Sequence, residues 1–167
     1  MDETFCRCNP QSLQLGKFCR SDLMPLLHLI HTTVDLCYSG VYPPRAVHFF
    51  KEYHGEKEII SRSEVGTILV ALHDGRLAAT GALVENEITG VFVASSMQGQ
   101  GLGRMIMKEL EDLAWSRGCR MVELSVSLPS RGFYEALGYE LLSECALDVG
   151  DGQKLTFWRA RKALSPR

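Results

Sequence analysis

Between residues 91 and 104 the sequence reads Val91-Phe92-Val93-Ala94-Ser95-Ser96-Met97-Gln98-Gly99-Gln100-Gly101-Leu102-Gly103-Arg104, an order of residue types suited to holding an anion. An apolar run feeds a polar turn with glycine at 99, 101 and 103, and the turn opens a helical pattern. Glycines let a backbone approach a ligand closely and adopt conformations closed to other residues. A helix start adds N–H groups without intrahelical partners at the favourable end of the dipole. A phosphate is the natural ligand. The stretch is not a Walker loop, because the Gly-Lys-Ser/Thr ending is absent, and it lacks the Gly-x-Gly-x-x-Gly spacing of a dinucleotide fingerprint. The plain alternative is an ordinary tight strand-to-helix turn.

Other reactive side chains are scattered. His28 and His31 lie one helical turn apart with Asp35 a further turn on, so the three share a helix face that is either surface or part of an acceptor site. The six cysteines include Cys6-x-Cys8, which lacks a second pair at zinc-finger spacing. Cys119 and Cys145 sit in no Cys/His nucleophile pattern. No Ser-centred nucleophile elbow is present. Acyl-enzyme chemistry and a metal site are therefore not expected.

The elements that position these residues follow from periodicity. Residues 1–11 form a lead-in, and Leu13 and Leu15 alternate in a strand ending near Phe18. Ser21-Asp22 caps a helix with Pro25 in its first turn and a stripe of Leu26, Leu27, Ile30 and Val34, closed by Ser39-Gly40. Pro43-Pro44 opens a second helix with Val47, Phe50 and Tyr53 on one face. Strands over 67–72, 77–84 and 87–94, joined across Asp74-Gly75 and Glu85-Asn86, imply an antiparallel meander. Leu102, Ile106, Leu110 and Leu113 mark a helix ended by Arg117-Gly118. A strand through Val122, Leu124 and Val126, a short helix over 130–137, and a strand pair over 141–149 and 155–161 complete the chain. The expected order is β-α-α-β-β-β-α-β-α-β-β, an α/β mixed sheet with helices on its faces.

With these elements in place the sequence resembles the GCN5-related N-acetyltransferase (GNAT) family, which carries Gln/Arg-x-x-Gly-x-Gly/Ala in the corresponding turn. Gln98-x-x-Gly101-x-Gly103 matches it. A second block, Ser127-Leu-Pro-Ser130-Arg-Gly132-Phe133-Tyr134-Glu-Ala-Leu-Gly138-Tyr139, is similar to the family's Asn-x-x-Ala-x-x-Phe-Tyr-x-x-Leu-Gly-Phe/Tyr segment. It departs at Ser127, where Asn is common, and at Ser130, where Ala is common. The likeness spans roughly residues 12 to 160.

The resemblance implies a central, mostly antiparallel sheet with helices on both faces, and acetyl-CoA as cofactor. The pantetheine arm would lie between parallel neighbours that splay apart, the strands ending near Val93 and Val126. Phe92 and Val93 would run along that arm, with Ser130 and Phe133 also on the cofactor side. Gln98, Gly99, Gln100, Gly101, Leu102, Gly103 and Arg104 would hold the pyrophosphate, Arg104 being equally suited to a wet surface. The Val93 N–H is the implied oxyanion donor. Tyr134, at the family's tyrosine position, is the implied proton donor to the thiolate, with a packed structural tyrosine as the alternative. Glu87 matches by offset the base of histone-acetylating members. Glu85 is two residues away, and either carboxylate could instead be a solvated turn residue. Deprotonating an amine of pKa near 10 at neutral pH costs only about 4 kcal/mol, so a water relay would also serve. Tyr38 and Tyr42, between the first two helices, fall where family members shape the acceptor site, and His31 is a further acceptor candidate.

Composition bounds the rest. The chain has 167 residues, 46% apolar and 23% charged, with 18 Lys+Arg against 20 Asp+Glu. That suits one domain over 12–162, with a short tail over 163–167. The formal charge of -2 argues against wrapping nucleic acid, which needs a basic surface. The acidic start lacks the basic and apolar segments of a signal peptide, and no apolar run spans a bilayer. A cytoplasmic location with reduced thiols is expected. The expected activity is direct transfer of an acetyl group from acetyl-CoA to a primary amine on a small molecule or peptide, by a monomer or homodimer. The alternative is a CoA-binding regulatory or interaction module with little turnover.

Overall fold

The computed structural model of the chain describes residues 13–166. The lead-in and the Cys6/Cys8 pair lie outside the described residues. The strands are β1 (Leu13–Lys17), β2 (Thr67–His73), β3 (Arg76–Val84), β4 (Glu87–Val93), β5 (Met121–Ser127), β6 (Glu140–Gly150) and β7 (Gln153–Ala163). The α-helices are α1 (Leu23–Tyr38), α2 (Pro44–Tyr53), α3 (Glu56–Val65), α4 (Leu102–Ser116) and α5 (Arg131–Ala136).

One element departs from expectation. Three helices, not two, precede the meander, and α3 is the addition. Only Ile59 of α3 is buried, so no apolar stripe announces it. Its ends carry the signal instead, with Glu56 and Glu58 in the first turn and Arg62 in the last, complementing the helix dipole. In α1 the buried stripe is Leu26, Leu29, Ile30 and Val34, with Leu27 half-buried at its margin.

The seven strands form one sheet in the order β1-β2-β3-β4-β5-β7-β6. Every neighbouring pair is antiparallel except β4 and β5. α4 and α5 cover one face, where Ile106, Met107 and Leu110 pack with Leu83, Val122 and Leu124. α1, α2 and α3 cover the other, where Leu26, Ile30, Val34 and Ile59 meet Ile68, Ala82 and Phe92. The architecture is thus the mixed, mostly antiparallel sheet with helices on both faces. No helix among the described residues is long and apolar enough to cross a membrane.

Gly81 on β3 lets α4 approach the sheet. A Cβ there would stand 2.6 Å from Ile106 Cγ2 and 2.8 Å from Leu110 Cδ1, inside any permissible contact. Gly81→Ala is therefore expected to cost about 1–3 kcal/mol of stability by overpacking, read as a lowered midpoint in urea with an unchanged slope.

Two irregularities make room for a ligand. Thr80 faces Phe92 while Ala82 faces Thr89, so two steps along β3 are matched by three along β4. The extra residue is a bulge at Gly90, whose φ of 62° favours glycine. The parallel register of β4 and β5 contains a single pair, Glu87 opposite Glu123. Beyond it the two strands diverge, which leaves one edge of β4 open toward Val93.

Candidate active site

The diverging strands enclose two adjoining cavities. The first, about 460 Å³, is lined by Thr33, Cys37, Tyr38, Val93, the turn into α4, and Pro129, Ser130, Phe133 and Tyr134. The second, about 240 Å³, runs along β4 from Glu87 to Phe92, between α2 and strands β6 and β7. Tyr38, Val91, Phe92, Ser130 and Tyr134 line both. These shared residues mark where the two cavities join.

The turn into α4 supplies donors to the larger cavity. Gly99 and Gly101 have φ of 75° and 86°, so both occupy the left-handed region that the glycine-rich sequence anticipates. Met105 N–H makes the first helical bond to the Gly101 carbonyl, at 3.0 Å. The amides of Leu102, Gly103 and Arg104 therefore precede the helical ladder, and all three residues line the cavity. At Gly103 a Cβ would lie 3.1 Å from the Phe133 ring, so glycine lets Phe133 close over the helix start. Gln98 lines the same cavity, but its Nε2 donates to the Val93 carbonyl at 3.1 Å and to Cys37 Sγ at 3.7 Å. Its amide ties the turn to the end of β4. Gln100 is exposed and is absent from the lining of either cavity.

The Val93 backbone points into the gap. Ala94 N–H donates to the Ala78 carbonyl on β3 at 2.8 Å. Successive strand amides face opposite edges, so the Val93 N–H faces the diverging β5 side. The larger cavity therefore has the Val93 N–H on the open edge of β4 along one wall, its carbonyl being held by Gln98, and unpaired helix-start amides at its end. Those donors suit the amide-bearing arm and pyrophosphate of a CoA ester.

Tyr134 sits at the junction. It is buried, with its ring against Phe133 at 5.0 Å and Tyr139 at 5.7 Å between centroids. Burial, with a smaller contribution from Tyr38, pushes its phenol well above the ordinary tyrosine range. Tyr38 is likewise raised by burial. Its hydroxyl pairs with Ser127 Oγ at 3.0 Å, which in turn pairs with Ser130 Oγ at 2.8 Å. The two serines that depart from the family segment thus form one hydroxyl chain beside both cavities.

Glu87 and Glu85 separate clearly. Glu87 lines the smaller cavity, and its Oε1 accepts from Arg159 Nη1 at 3.2 Å. Arg159 also donates to Ser125 Oγ at 2.8 Å and to Glu123 Oε2 at 3.3 Å. Glu85 is exposed at the β3–β4 turn, with φ of 54°, outside both cavities. It is a turn residue, and the expectation that it reaches an acceptor is corrected.

Tyr42 and His31 are also displaced from the acceptor role. Tyr42 donates its hydroxyl to the Thr156 carbonyl and accepts from Leu128 N–H, both at 2.8 Å. Burial pushes its pKa up to about 12. It braces the α1–α2 loop against β7 and lines neither cavity. His31 Nε2 bonds the His54 carbonyl at 3.2 Å, so it fixes the end of α2. Asp35 pairs with Lys51, and His28 opens on a different groove. The His28–His31–Asp35 face does not converge. Among the described residues no group of three His, Cys, Asp or Glu is placed to hold a metal ion.

His54, which carries no sequence motif, lines the smaller cavity beside the Gly90 bulge. Arg62 Nη1 donates to its Nδ1 at 3.3 Å, so the ring proton resides on Nε2. Burial, then the charges of Arg62 and His31, push its pKa down to about 3. The folded value lies below the ordinary 6.5, so this contribution to stability is whole above pH 6.5 and is lost as pH falls toward 3. At pH 5 the loss is about 2 kcal/mol. His54→Gln is expected to flatten the fall in melting temperature between pH 7 and 5, as followed by circular dichroism.

Comparisons with known proteins agree with this architecture. The model of the Acetyltransferase (GNAT) family matches residues 27–139. A GCN5-related N-acetyltransferase from Rhodopseudomonas palustris superposes with a TM-score of 0.83 at 17% identity, covering 95% of this chain and 100% of that one. The PaiA N-acetyltransferase of Thermoplasma acidophilum, in complex with coenzyme A, gives 0.73 at 19%, covering 92% and 100%. The ribosomal-protein-S18-alanine N-acetyltransferase of Escherichia coli gives 0.68 at 20%, covering 93% and 96%. These likenesses establish the shared fold. The family model extends over more than half of the chain and takes in both the glycine-rich turn and the Phe133-Tyr134 segment; the chain belongs to the GNAT acetyltransferase family.

Proposed function

We propose that the protein is an N-acetyltransferase that moves an acetyl group from acetyl-CoA to a primary amine by direct transfer. The observation that carries the reading is the pair of cavities meeting at Tyr134 in the gap between β4 and β5. One has the donors for a CoA ester and the other the space for an acceptor. A relative of the same fold was solved with coenzyme A bound, which supports that assignment.

When bound, acetyl-CoA supplies an acetyl carbonyl already activated as a thioester. The Leu102, Gly103 and Arg104 amides hold its pyrophosphate, and the open edge of β4 pairs with the pantetheine arm. The Val93 N–H donates to the carbonyl oxygen as charge grows there. Glu87 and the smaller cavity orient the amine for attack. The carbon–nitrogen bond forms, the carbon–sulfur bond breaks with its electron pair going to sulfur, and the nitrogen gives up one proton. Tyr134 donates a hydrogen bond to the departing sulfur. A thiol has an ordinary pKa near 8.5, whereas Tyr134 lies above 10, so full proton loss from Tyr134 is uphill by at least about 2 kcal/mol. The phenol therefore stabilises the sulfur and passes a proton only as the amine's proton replaces it. The net products are the amide and free CoA thiol.

Glu87 shares Arg159 with Glu123, which suits positioning an ammonium or an ordered water better than strong base catalysis. Glu87→Gln is expected to raise the amine KM about tenfold and to lower kcat by less than that, measured by thiol release at several pH values.

Calorimetry tests the cofactor half of the reading. One acetyl-CoA is expected to bind per chain with a micromolar dissociation constant, and thiol release with an amine panel then distinguishes an enzyme from a binding module. Absence of binding to any CoA species would remove both.

A further inference from the structure

The smaller cavity has a chemistry of its own. Its walls are Phe49, Tyr53, Phe92, Leu147, Leu155 and Phe157. Phe49 and Tyr53, one turn apart on α2, stack with centroids 6.1 Å apart and planes 14° from parallel. Tyr53 remains 45% exposed and Leu147 41%, so apolar surface is left facing the cavity and its mouth. Among the residues lining it, Glu87 is the one acidic side chain, and there is no Lys or Arg. His54 is held neutral by burial beside Arg62. Arg159 already bridges Glu87 to Glu123.

These features select among amines. A second ammonium group, as in a polyamine, would enter a site with no second carboxylate to receive it. A carboxylate, as in a free amino acid, would find Arg159 and Arg62 outside the lining and already bonded to Glu87 and His54. Either charge would be stripped of water without a partner, which proteins avoid. The volume of about 240 Å³ lies below the usual range of drug-sized pockets, about 300–1,000 Å³, so it suits one ring system on a short chain. Aromatic walls contribute most to an aromatic guest, through offset and edge-to-face contacts. We infer that the acyl acceptor is a small monoamine on an aromatic body, with the ring held between α2 and β6–β7 and the amine directed toward Tyr134. This inference rests on the acetyltransferase reading and narrows it to a substrate class.

The discriminating experiment compares 2-phenylethylamine, ethylamine, spermidine and a lysine-containing peptide as acceptors at saturating acetyl-CoA. In parallel, 2-phenylethylamine is titrated into the CoA-saturated protein by calorimetry. The expected result is a kcat/KM for 2-phenylethylamine about 100-fold or more above that for ethylamine, with spermidine and the peptide no better than ethylamine, and saturable heat on titration. Phe49→Ala, at a half-buried site, should reduce the phenylethylamine-to-ethylamine ratio about tenfold. Phe157→Ala should do the same if it folds. Spermidine or the peptide matching 2-phenylethylamine would overturn the inference while leaving the acetyltransferase reading intact, as would an unchanged ratio in Phe49→Ala. Failure to bind acetyl-CoA is a separate result, visible in the calorimetric control, and would remove the parent reading and the inference with it.

Discussion

Tyr134→Phe is expected to lower kcat about 100-fold while leaving the acetyl-CoA dissociation constant within about threefold. The substitution removes only the hydroxyl. The ring keeps its edge-to-face packing on Phe133 and Tyr139, so the end of β5 and the start of α5 should hold their places. Among the described residues that hydroxyl has no hydrogen-bond partner and no buried side-chain polar atom is left unsatisfied, so it opens onto the cavities that the side chain lines. Its pKa is raised by burial, so it keeps its proton at neutral pH. The folded value lies above the unfolded one, so this contribution to stability is whole below about pH 10 and is lost only as pH rises further. The variant's pH–rate profile should therefore keep its shape between pH 6 and 9 and fall in height. Steady-state thiol release together with calorimetry checks both halves. An unchanged kcat would leave Tyr134 a packing residue.

Gly101→Glu carries the second large effect, on cofactor affinity. Gly101 is the residue before α4, with φ of 86°, and a Cβ there would meet nothing within 4 Å. The protein can thus accommodate a side chain sterically, at a backbone cost of roughly 1–2 kcal/mol. The new carboxylate would occupy the favourable end of the helix dipole, where the pyrophosphate is proposed to sit. Competition and like-charge repulsion together should raise the acetyl-CoA dissociation constant at least about 100-fold. Gly118→Glu is the matched control. It too has positive φ, 89°, with open space around a Cβ, but it lies beyond the opposite end of α4. It should lose comparable backbone energy and keep its affinity. Equal loss in both variants would mean that strain, and not phosphate contact, sets the result.

Most of the larger cavity, proposed for the cofactor, was legible from local sequence, and most of the smaller one, proposed for the acceptor, was not. Gly99 and Gly101 announce a turn whose left-handed conformation favours glycine, Gly103 leaves room for Phe133, and the leucine spacing of α4 fixes its buried face. Both signals are contained within a dozen residues. The bulge at Gly90 depends on the register between β3 and β4, which no single strand encodes. A glycine interrupting a strand pattern was the available hint. α3 carries no apolar stripe, because Ile59 is its one buried residue. The walls of the smaller cavity come from α2, β6 and β7, and they meet because β7 inserts between β5 and β6, far from the turn in sequence. Glu85 and Glu87 were equivalent as letters. The left-handed conformation at Glu85 and the reach of Arg159 to Glu87 separate them, and both are products of folding. Tyr42 and His31 lie in the right region, yet backbone partners claim both side chains.

The most direct test of acetyl transfer is to mix the protein with acetyl-CoA labelled in the acetyl group and 2-phenylethylamine, then quantify the amine product by mass spectrometry and CoA thiol in the same sample. One labelled N-acetyl group on the amine is expected for each thiol released, with none retained on the protein. Label bound covalently to the chain, or thiol released without acetylated amine, would contradict direct transfer.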